Sequence, residues 1–273
     1  MQCVKDTIDE ADLSIGDLRA IGVGAPGTVD GTTGKVVFAP NLDWHDLPLQ
    51  KQLADVLGVP VFVENDGNAA ILGAYVAELK CKPRHVLGIF VGTGIGGGII
   101  LNGELYHGMS YSAGEIGHMI LEMDGPRCGC GNQGCFEAVA SRTAMFQQIR
   151  TAIVEGRATI LTEMLENLDD MRSGDLRRAL KKGDELVESV VKKTARYVGV
   201  AVANLANLLN PEVIVLGGGV IEALADTMLG IISETAVDYA MPGVMNGCEI
   251  RASSLGDNTG IVGAAVLAQR MMR

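Results

Sequence analysis

Positive charge is in short supply in this sequence. Acidic residues outnumber basic ones 33 to 22, a formal net charge of −11. A surface of that sign repels a phosphate backbone, which argues against nucleic acid as a partner. Nucleotides stay open, because backbone N–H groups bind phosphate locally even in an acidic protein. Long hydrophobic runs are missing as well. The longest, Tyr197 to Leu209, contains Asn204 and Asn207 and falls short of the roughly 20 residues that span a bilayer. Met1 leads into Gln-Cys-Val-Lys-Asp with no apolar run behind it, so a cytoplasmic protein with no membrane partner is expected. Short-period repeats, low-complexity tracts and long linkers are absent. A disulfide framework is absent too: Cys3, Cys81 and Cys248 are scattered and read as packing residues, whereas Cys128, Cys130 and Cys135 bunch within eight positions. Neighbours in a C-x-C cannot easily pair with each other, so the bunching suits a metal.

What is present is a chain of 273 residues, 48% hydrophobic, long enough for one large domain or two smaller ones with real cores. Glycine contributes 36 residues, nearly twice the usual share of about 7%, and it clusters. Val4, Ile8 and Ala11 sit at helical spacing. Ala20–Gly24 is strand-like and runs into a turn at Ala25-Pro26-Gly27. A helix is expected over Leu47–Leu57, stopped by Gly58, then a buried strand at Val59–Val63 and a helix over Ala69–Leu79. After Pro83 the pattern restarts. His85–Val91 and Gly98–Leu101 read as strands joined by a glycine run, with a hairpin signal at Asn102-Gly103. Residues 141–209 are largely helical, broken near Gly156 and Ser173-Gly174. Val213–Leu216 and Glu249–Ser253 are strands, and Gly260–Met272 a last helix. The alternation predicts two α/β lobes meeting near residue 84.

Four constellations carry candidate chemistry. Gly92-Thr-Gly-Ile-Gly-Gly-Gly98 and Gly22-Val-Gly-Ala-Pro-Gly27 both fit the spacing of a dinucleotide fingerprint, but neither is followed by a helix, so both are rejected as such. No Gly-Lys-Ser/Thr is present, which excludes a Walker loop. The first run is then either a plain tight hairpin or a turn that admits phosphate to its backbone N–H groups. Glu64-Asn65-Asp66 ends a buried strand just before a helix, where α/β sheets bind ligands. Asp66 there can take a proton from a hydroxyl, or the segment can simply cap the helix. Glu115-Ile-Gly-His118 with Cys128, Cys130 and Cys135 has the ligand types of a closed Cys₃His zinc site, or else holds free thiols in a loop. Gly217-Gly218-Gly219 between a strand and a helix is an anion site or a turn.

Together these segments resemble the ROK family of bacterial sugar kinases. The resemblance runs through Gly22–Gly27 with Val29-Asp30, Ala39-Pro-Asn-Leu42 with Trp44, and Val63-Glu-Asn-Asp-Gly-Asn-Ala-Ala70. It continues through Gly92–Gly98, Glu115–His118, Cys128-Gly-Cys-Gly-x-x-Gly-Cys-x-Glu137 and Asn210–Gly219. It implies an α/β, two-lobed actin-like ATPase fold, ribonuclease H-like and of the hexokinase type. Residues 1–84 with 260–273 would form the smaller lobe; 85–259 would form the larger, with a zinc loop at 118–135. Within the family the chain is most similar to ATP-dependent glucokinases, which implies transfer of phosphate from ATP, with Mg²⁺, to the 6-hydroxyl of a hexose such as glucose. Asp66 would be the base; Asn65, Glu115, His118 and Glu137 would bind sugar hydroxyls, with Gly24 and Gly27 nearby. Gly92, Thr93, Gly94, Gly96 and Gly97 would hold ATP phosphates and Gly217, Gly218 and Gly219 the adenosine. His118, Cys128, Cys130 and Cys135 would bind structural Zn²⁺. The family also implies a homodimer, for which the helical region 141–209 could supply the contact. One departure is large: the family's opening Asp-x-Gly-Gly-Thr turn occurs nowhere in this sequence, so a first lobe truncated at its N-terminus is expected. A sugar-binding protein without turnover is the alternative, as are kinases for N-acetylglucosamine, N-acetylmannosamine, mannose or fructose. A DNA-binding repressor is not expected, because the first 20 residues are too short for a helix-turn-helix and the charge is wrong.

Overall fold

The computed structural model describes residues 2–39 and 42–272; Pro40 and Asn41 of the Ala39–Leu42 segment lie outside the described residues, as does the side chain of Cys3. Helix α1 (Gln2–Glu10) precedes strand β1 (Ile21–Ala25), and the chain then folds through β2 (Thr28–Asp30), β3 (Lys35–Ala39) and β4 (Trp44–Leu47). These three strands form an antiparallel sheet that the sequence patterns did not announce. Its first turn is fastened by Asp30, whose Oδ1 accepts from Thr32 N (2.9 Å) and whose Oδ2 accepts from the Thr33 hydroxyl (2.8 Å). Helix α2 (Leu49–Leu57) ends at Gly58, which adopts φ +71 as a left-handed cap. Strand β5 (Val61–Asn65) pairs in parallel with β1, so Gly24 lies beside Glu64 and Ala25 beside Asn65. Helix α3 (Asp66–Ala77) follows with no intervening loop.

The second sheet has the order β10-β9-β6-β7-β8. It is built from β6 (Val86–Val91), β7 (Ile95–Leu101), β8 (Glu104–Leu105), β9 (Val213–Gly217) and β10 (Glu249–Ala252). β9 is buried along its whole length, as its Val-Ile-Val-Leu run requires of a strand covered on both faces. The meander β6-β7-β8 is antiparallel, whereas β6, β9 and β10 run parallel. Asn102 and Gly103 take φ +55 and +87, the hairpin turn expected between β7 and β8. β7 begins at Ile95, so Gly96, Gly97 and Gly98 are strand residues paired with β6, and the turn proper is Gly92-Thr93-Gly94.

Between β8 and β9 lie α4 (Phe136–Ala140), α5 (Arg142–Val154), α6 (Leu161–Met164), α7 (Ser173–Lys181) and the 25-residue α8 (Glu185–Leu209). Asp184 caps α8, accepting from Val187 N at 2.9 Å. Ser173 and Gly174 open α7 directly after the break expected near them, residues 165–172 lying outside α-helix, and a further break falls at Gly183, which has φ +79. The largest core cluster wraps α8 and α9 (Gly219–Tyr239) and reaches Leu87, Ile89 and Val91 of β6. Helix α10 (Thr259–Met271) returns to pack on α3 and β1. Cys81 departs from expectation: it is exposed and sits at φ +56, so it does not serve packing.

Candidate active site

The β5–α3 corner decides the capping question in favour of Asn65. Its Oδ1 accepts the Asn68 N–H at 3.1 Å, and its Nδ2 donates to the Gly27 carbonyl at 2.9 Å. Both ends of that amide are engaged, which leaves Asp66 free of capping work. The Asp66 carboxylate accepts the neighbouring Gly67 N–H, at 2.8 Å, and its own backbone N–H. Its side chain is open to solvent. The surrounding protein displaces water and pushes its carboxyl above the ordinary Asp range, against the lowering effect of the Gly67 N–H. Gly24 is adjacent, since a Cβ there would lie 3.5 Å from Asp66 Cα. Gly24, Gly27, Asn65 and Asp66 are therefore brought together.

Gly67 ties this corner to the second sheet. A Cβ on it would lie 2.3 Å from the Gly97 carbonyl oxygen, so only glycine permits α3 to start against β7. Asp66 is thereby set next to the strand that emerges from the Gly92–Gly94 turn. That turn is closed by Gly92 N–H donating to Gly94 O (2.9 Å). It is anchored to α5, where Arg142 N–H donates to Gly92 O (2.9 Å) and the Thr143 hydroxyl to Thr93 O (2.7 Å). Arg142 also donates from its guanidinium to the Thr93 hydroxyl. Of the five predicted phosphate-turn residues, Gly92, Thr93 and Gly94 form the turn, while Gly96 and Gly97 form the strand behind it.

Glu115, His118 and Glu137 arrive from a separate direction. Glu115 precedes the single helical turn Ile116–His118, and Glu137 lies in α4 immediately after Cys135. Burial pushes the Glu115 carboxyl above its ordinary range; nearby His118 opposes that, and the negative charges of Asp66 and Glu137 add to it. Asp66, His118 and Glu137 thus all lie near enough to act on the Glu115 charge. Glu137 is already committed at one oxygen, its Oε2 accepting the Ile95 N–H at 2.9 Å.

The four metal candidates also meet. One donor atom from each of His118, Cys128, Cys130 and Cys135 lies within 4.8 Å of the others. Cys130 and Cys135 sulfurs are 3.6 Å apart, and Cys128 Sγ is 3.7 Å from His118 Nδ1. A tetrahedron with Zn–S bonds of about 2.3 Å has edges of about 3.8 Å, so the donor set fits zinc in type and size. Burial, followed by hydrogen bonding from Cys130 and Cys128, pushes the Cys135 thiol up to about 12; sulfurs so placed ionise together only around a cation. The other imidazole nitrogen, His118 Nε2, faces Glu115 Oε2 at 3.9 Å, so one ring spans the metal cluster and the acidic space.

Gly217 ends β9, Gly218 turns at φ +84 and Gly219 begins α9. Gly219 borders a cleft of about 650 Å³ that also opens onto Thr93. The cleft supplies functional candidates that the sequence did not suggest. Arg142, Arg150, Arg172 and Arg177 line it, with Asp169 and Glu222 as the acidic members. Arg150 pairs with Asp169 at 3.0 Å. A concentration of guanidinium groups in a chain of net charge −11 is the available signal, but it is visible only once α5 and α7 are both folded onto α8. No helix among the described residues is long and apolar enough to cross a membrane.

The meander-plus-parallel sheet, with α3 packed against the glycine-rich strand β7, belongs to an α/β fold of the actin-like ATPase type. The ROK family profile matches residues 1–271, and the chain belongs to the ROK family. It is 39% identical over 255 residues to the glucokinase of Halalkalibacterium halodurans, spanning 93% of this chain and 77% of that one. It is 32% identical over 246 residues to the xylose repressor of Bacillus spizizenii, spanning 90% of this chain and 60% of the repressor. Among solved structures it matches a ROK family glucokinase from Streptomyces griseus in complex with glucose and AMPPNP. That match has a TM-score of 0.84 at 33% identity, covering 97% of this chain and 88% of that one.

Proposed function

We propose that this protein is a hexose kinase that transfers the terminal phosphoryl group of ATP to a sugar 6-hydroxyl, with glucose the substrate and glucose 6-phosphate the product. The observation that carries the reading is the Asp66 carboxylate. It is held by the Gly67 N–H and its own N–H, raised in pKa and set against the strand that leaves the glycine turn. Asp66 accepts the 6-hydroxyl proton as that oxygen bonds to the γ-phosphorus, and the bond from phosphorus to the ADP oxygen breaks. The Thr93 and Gly94 N–H groups of the turn hold phosphate, and Arg142 keeps the turn in place. The nucleoside lies in the arginine-lined cleft beside Gly217, Gly218 and Gly219, and Mg²⁺ accompanies the ATP. Glu115, His118 and Glu137 bind the ring hydroxyls, with Asn65 fixing the turn at Gly27.

The chemistry of the Cys₃His cluster supports structural zinc, which would fasten the 118–135 loop and orient His118 toward the sugar. In this reading residues 1–84 with 260–273 form the smaller lobe and 85–259 the larger, and the sugar binds between them. Likeness to glucokinases in sequence and in structure supports glucose as the hexose. The likeness to xylose repressors favours a second reading, a sugar-binding regulator that does not turn over. Measuring ADP release with Mg-ATP and glucose, mannose or N-acetylglucosamine separates the two. Turnover that is lost in Asp66→Asn supports the kinase, and sugar binding without turnover supports the regulator.

A further inference from the structure

Glu64 stands two residues before Asp66 and is 3% exposed. A carboxylate that deep needs every lone pair engaged and its charge compensated. Its Oε1 accepts the Asn65 N–H at 2.9 Å and Asn68 Nδ2 at 3.1 Å. Its Oε2 meets His107 Nε2 at 2.7 Å. His107 comes from the loop between β8 and Glu115, 43 residues away in sequence, and is the one cationic group within 4 Å of Glu64 among the described residues. The rest of that loop touches the opposite segment lightly. Thr28 and Ser112 hydroxyls are 3.5 Å apart, and the Tyr111 ring lies 3.7 Å from where a Gly31 Cβ would stand. Tyr111 also lies against the imidazole, with ring centroids 5.8 Å apart.

We infer that His107 is a positioning residue for phosphoryl transfer: its ion pair with Glu64 fixes the β5–α3 corner and so the direction in which Asp66 presents its carboxylate. The inference rests on the kinase reading above. Among the described residues Asp66 has no side-chain partner, so its placement depends on the backbone of residues 64–68, and Glu64 binds that segment at Asn65 and Asn68. Without His107 a buried negative charge is left uncompensated, and Glu64 must hydrate or turn, releasing both contacts. Among the described residues, Glu64 faces His107 from the corner and Tyr111 from its own loop. The hydrogen bond to Glu64 raises the His107 pKa, and its charge adds to this, with burial opposing. The pair is therefore complete below the ordinary histidine range and is lost as pH rises through the raised value.

The test compares wild type, His107→Gln and His107→Arg by amide hydrogen exchange of residues 64–70 and by sugar-dependent ADP release across pH. Gln removes the charge; Arg keeps it at every pH. In His107→Gln, kcat is expected to fall about tenfold with the KM for ATP within about twofold, as misplacement of a reacting group requires. Exchange at 64–70 rises in the same variant, and the wild-type alkaline decline in kcat disappears. His107→Arg recovers protection at 64–70 and most of kcat, and stays active into alkaline pH. Unchanged exchange at 64–70 in folded His107→Gln overturns the inference, and so does exchange that rises over the whole chain rather than at the corner. Failure of wild type to phosphorylate any hexose overturns the kinase reading instead, while the exchange comparison still decides whether His107 fixes the corner.

Discussion

The Oε2 of Glu137 accepts the Ile95 N–H at 2.9 Å, while its Oε1 lies 3.7 Å from Cys128 Sγ. One carboxylate thus bridges the cysteine loop and the first residue after the glycine turn. The turn is packed directly on it, since a Cβ on Gly94 would stand 2.2 Å from Oε2, whereas one on Gly92 would meet nothing closer than 3.9 Å. Gly94→Ala therefore has to displace Glu137 from Ile95. It is expected to raise the KM for ATP at least about tenfold, the loss of roughly one charged hydrogen bond. Gly92→Ala should change it far less, and steady-state kinetics on the two variants side by side checks this.

Asp66→Asn should lower kcat by about 10²–10⁴-fold, the contribution of a general base. Its effect on stability has the opposite sign. Because the folded state holds the Asp66 pKa above its unfolded value, ionisation costs stability as pH rises through that range. Thermal melts at neutral pH should show the Asn variant no less stable than wild type, with the difference vanishing in acid. In wild type the acid limb of the kcat profile should lie above the ordinary Asp range.

Zinc analysis should find one ion per chain, released on adding a thiol-reactive reagent. Removing it, or changing Cys135 to Ser, should lower the melting temperature by about 5 °C or more, because binding energy at a closed site is folding energy. Limited proteolysis should then cut first within 118–135. A melting temperature indifferent to chelation would mean the sulfurs hold no metal.

Arg177 lines the cleft beside Thr93 and Gly219. Arg177→Ala should raise the KM for ATP about tenfold through loss of one charged hydrogen bond and leave the KM for glucose unchanged. Equal effects on both would place the nucleotide elsewhere.

Much of this site was legible in the sequence because its chemistry is carried by contiguous segments. Glu64-Asn65-Asp66 ends a strand whose Val-Pro-Val-Phe-Val run is strongly patterned, and His118 with the three cysteines is defined by residue type alone. Gly58 and Asn102-Gly103 announced their turns through the backbone angles they must adopt. What stayed hidden depends on long-range contact. The sheet β2-β3-β4 is made of strands three to five residues long, with partial burial that gives no clean alternation. The glycines after Gly94 look like turn residues, yet they are strand residues chosen for close approach, as Gly97 against Gly67 shows. His107 and the arginines of the cleft belong to segments with no motif, and they acquire roles only from residues dozens of positions away.

The most direct test of the account is a coupled assay of glucose-dependent ADP release by this chain with Mg-ATP, run beside Asp66→Asn. The account predicts turnover by wild type and its loss in the variant, with glucose binding retained in both. Glucose binding without turnover in wild type, or turnover that survives Asp66→Asn, would contradict it.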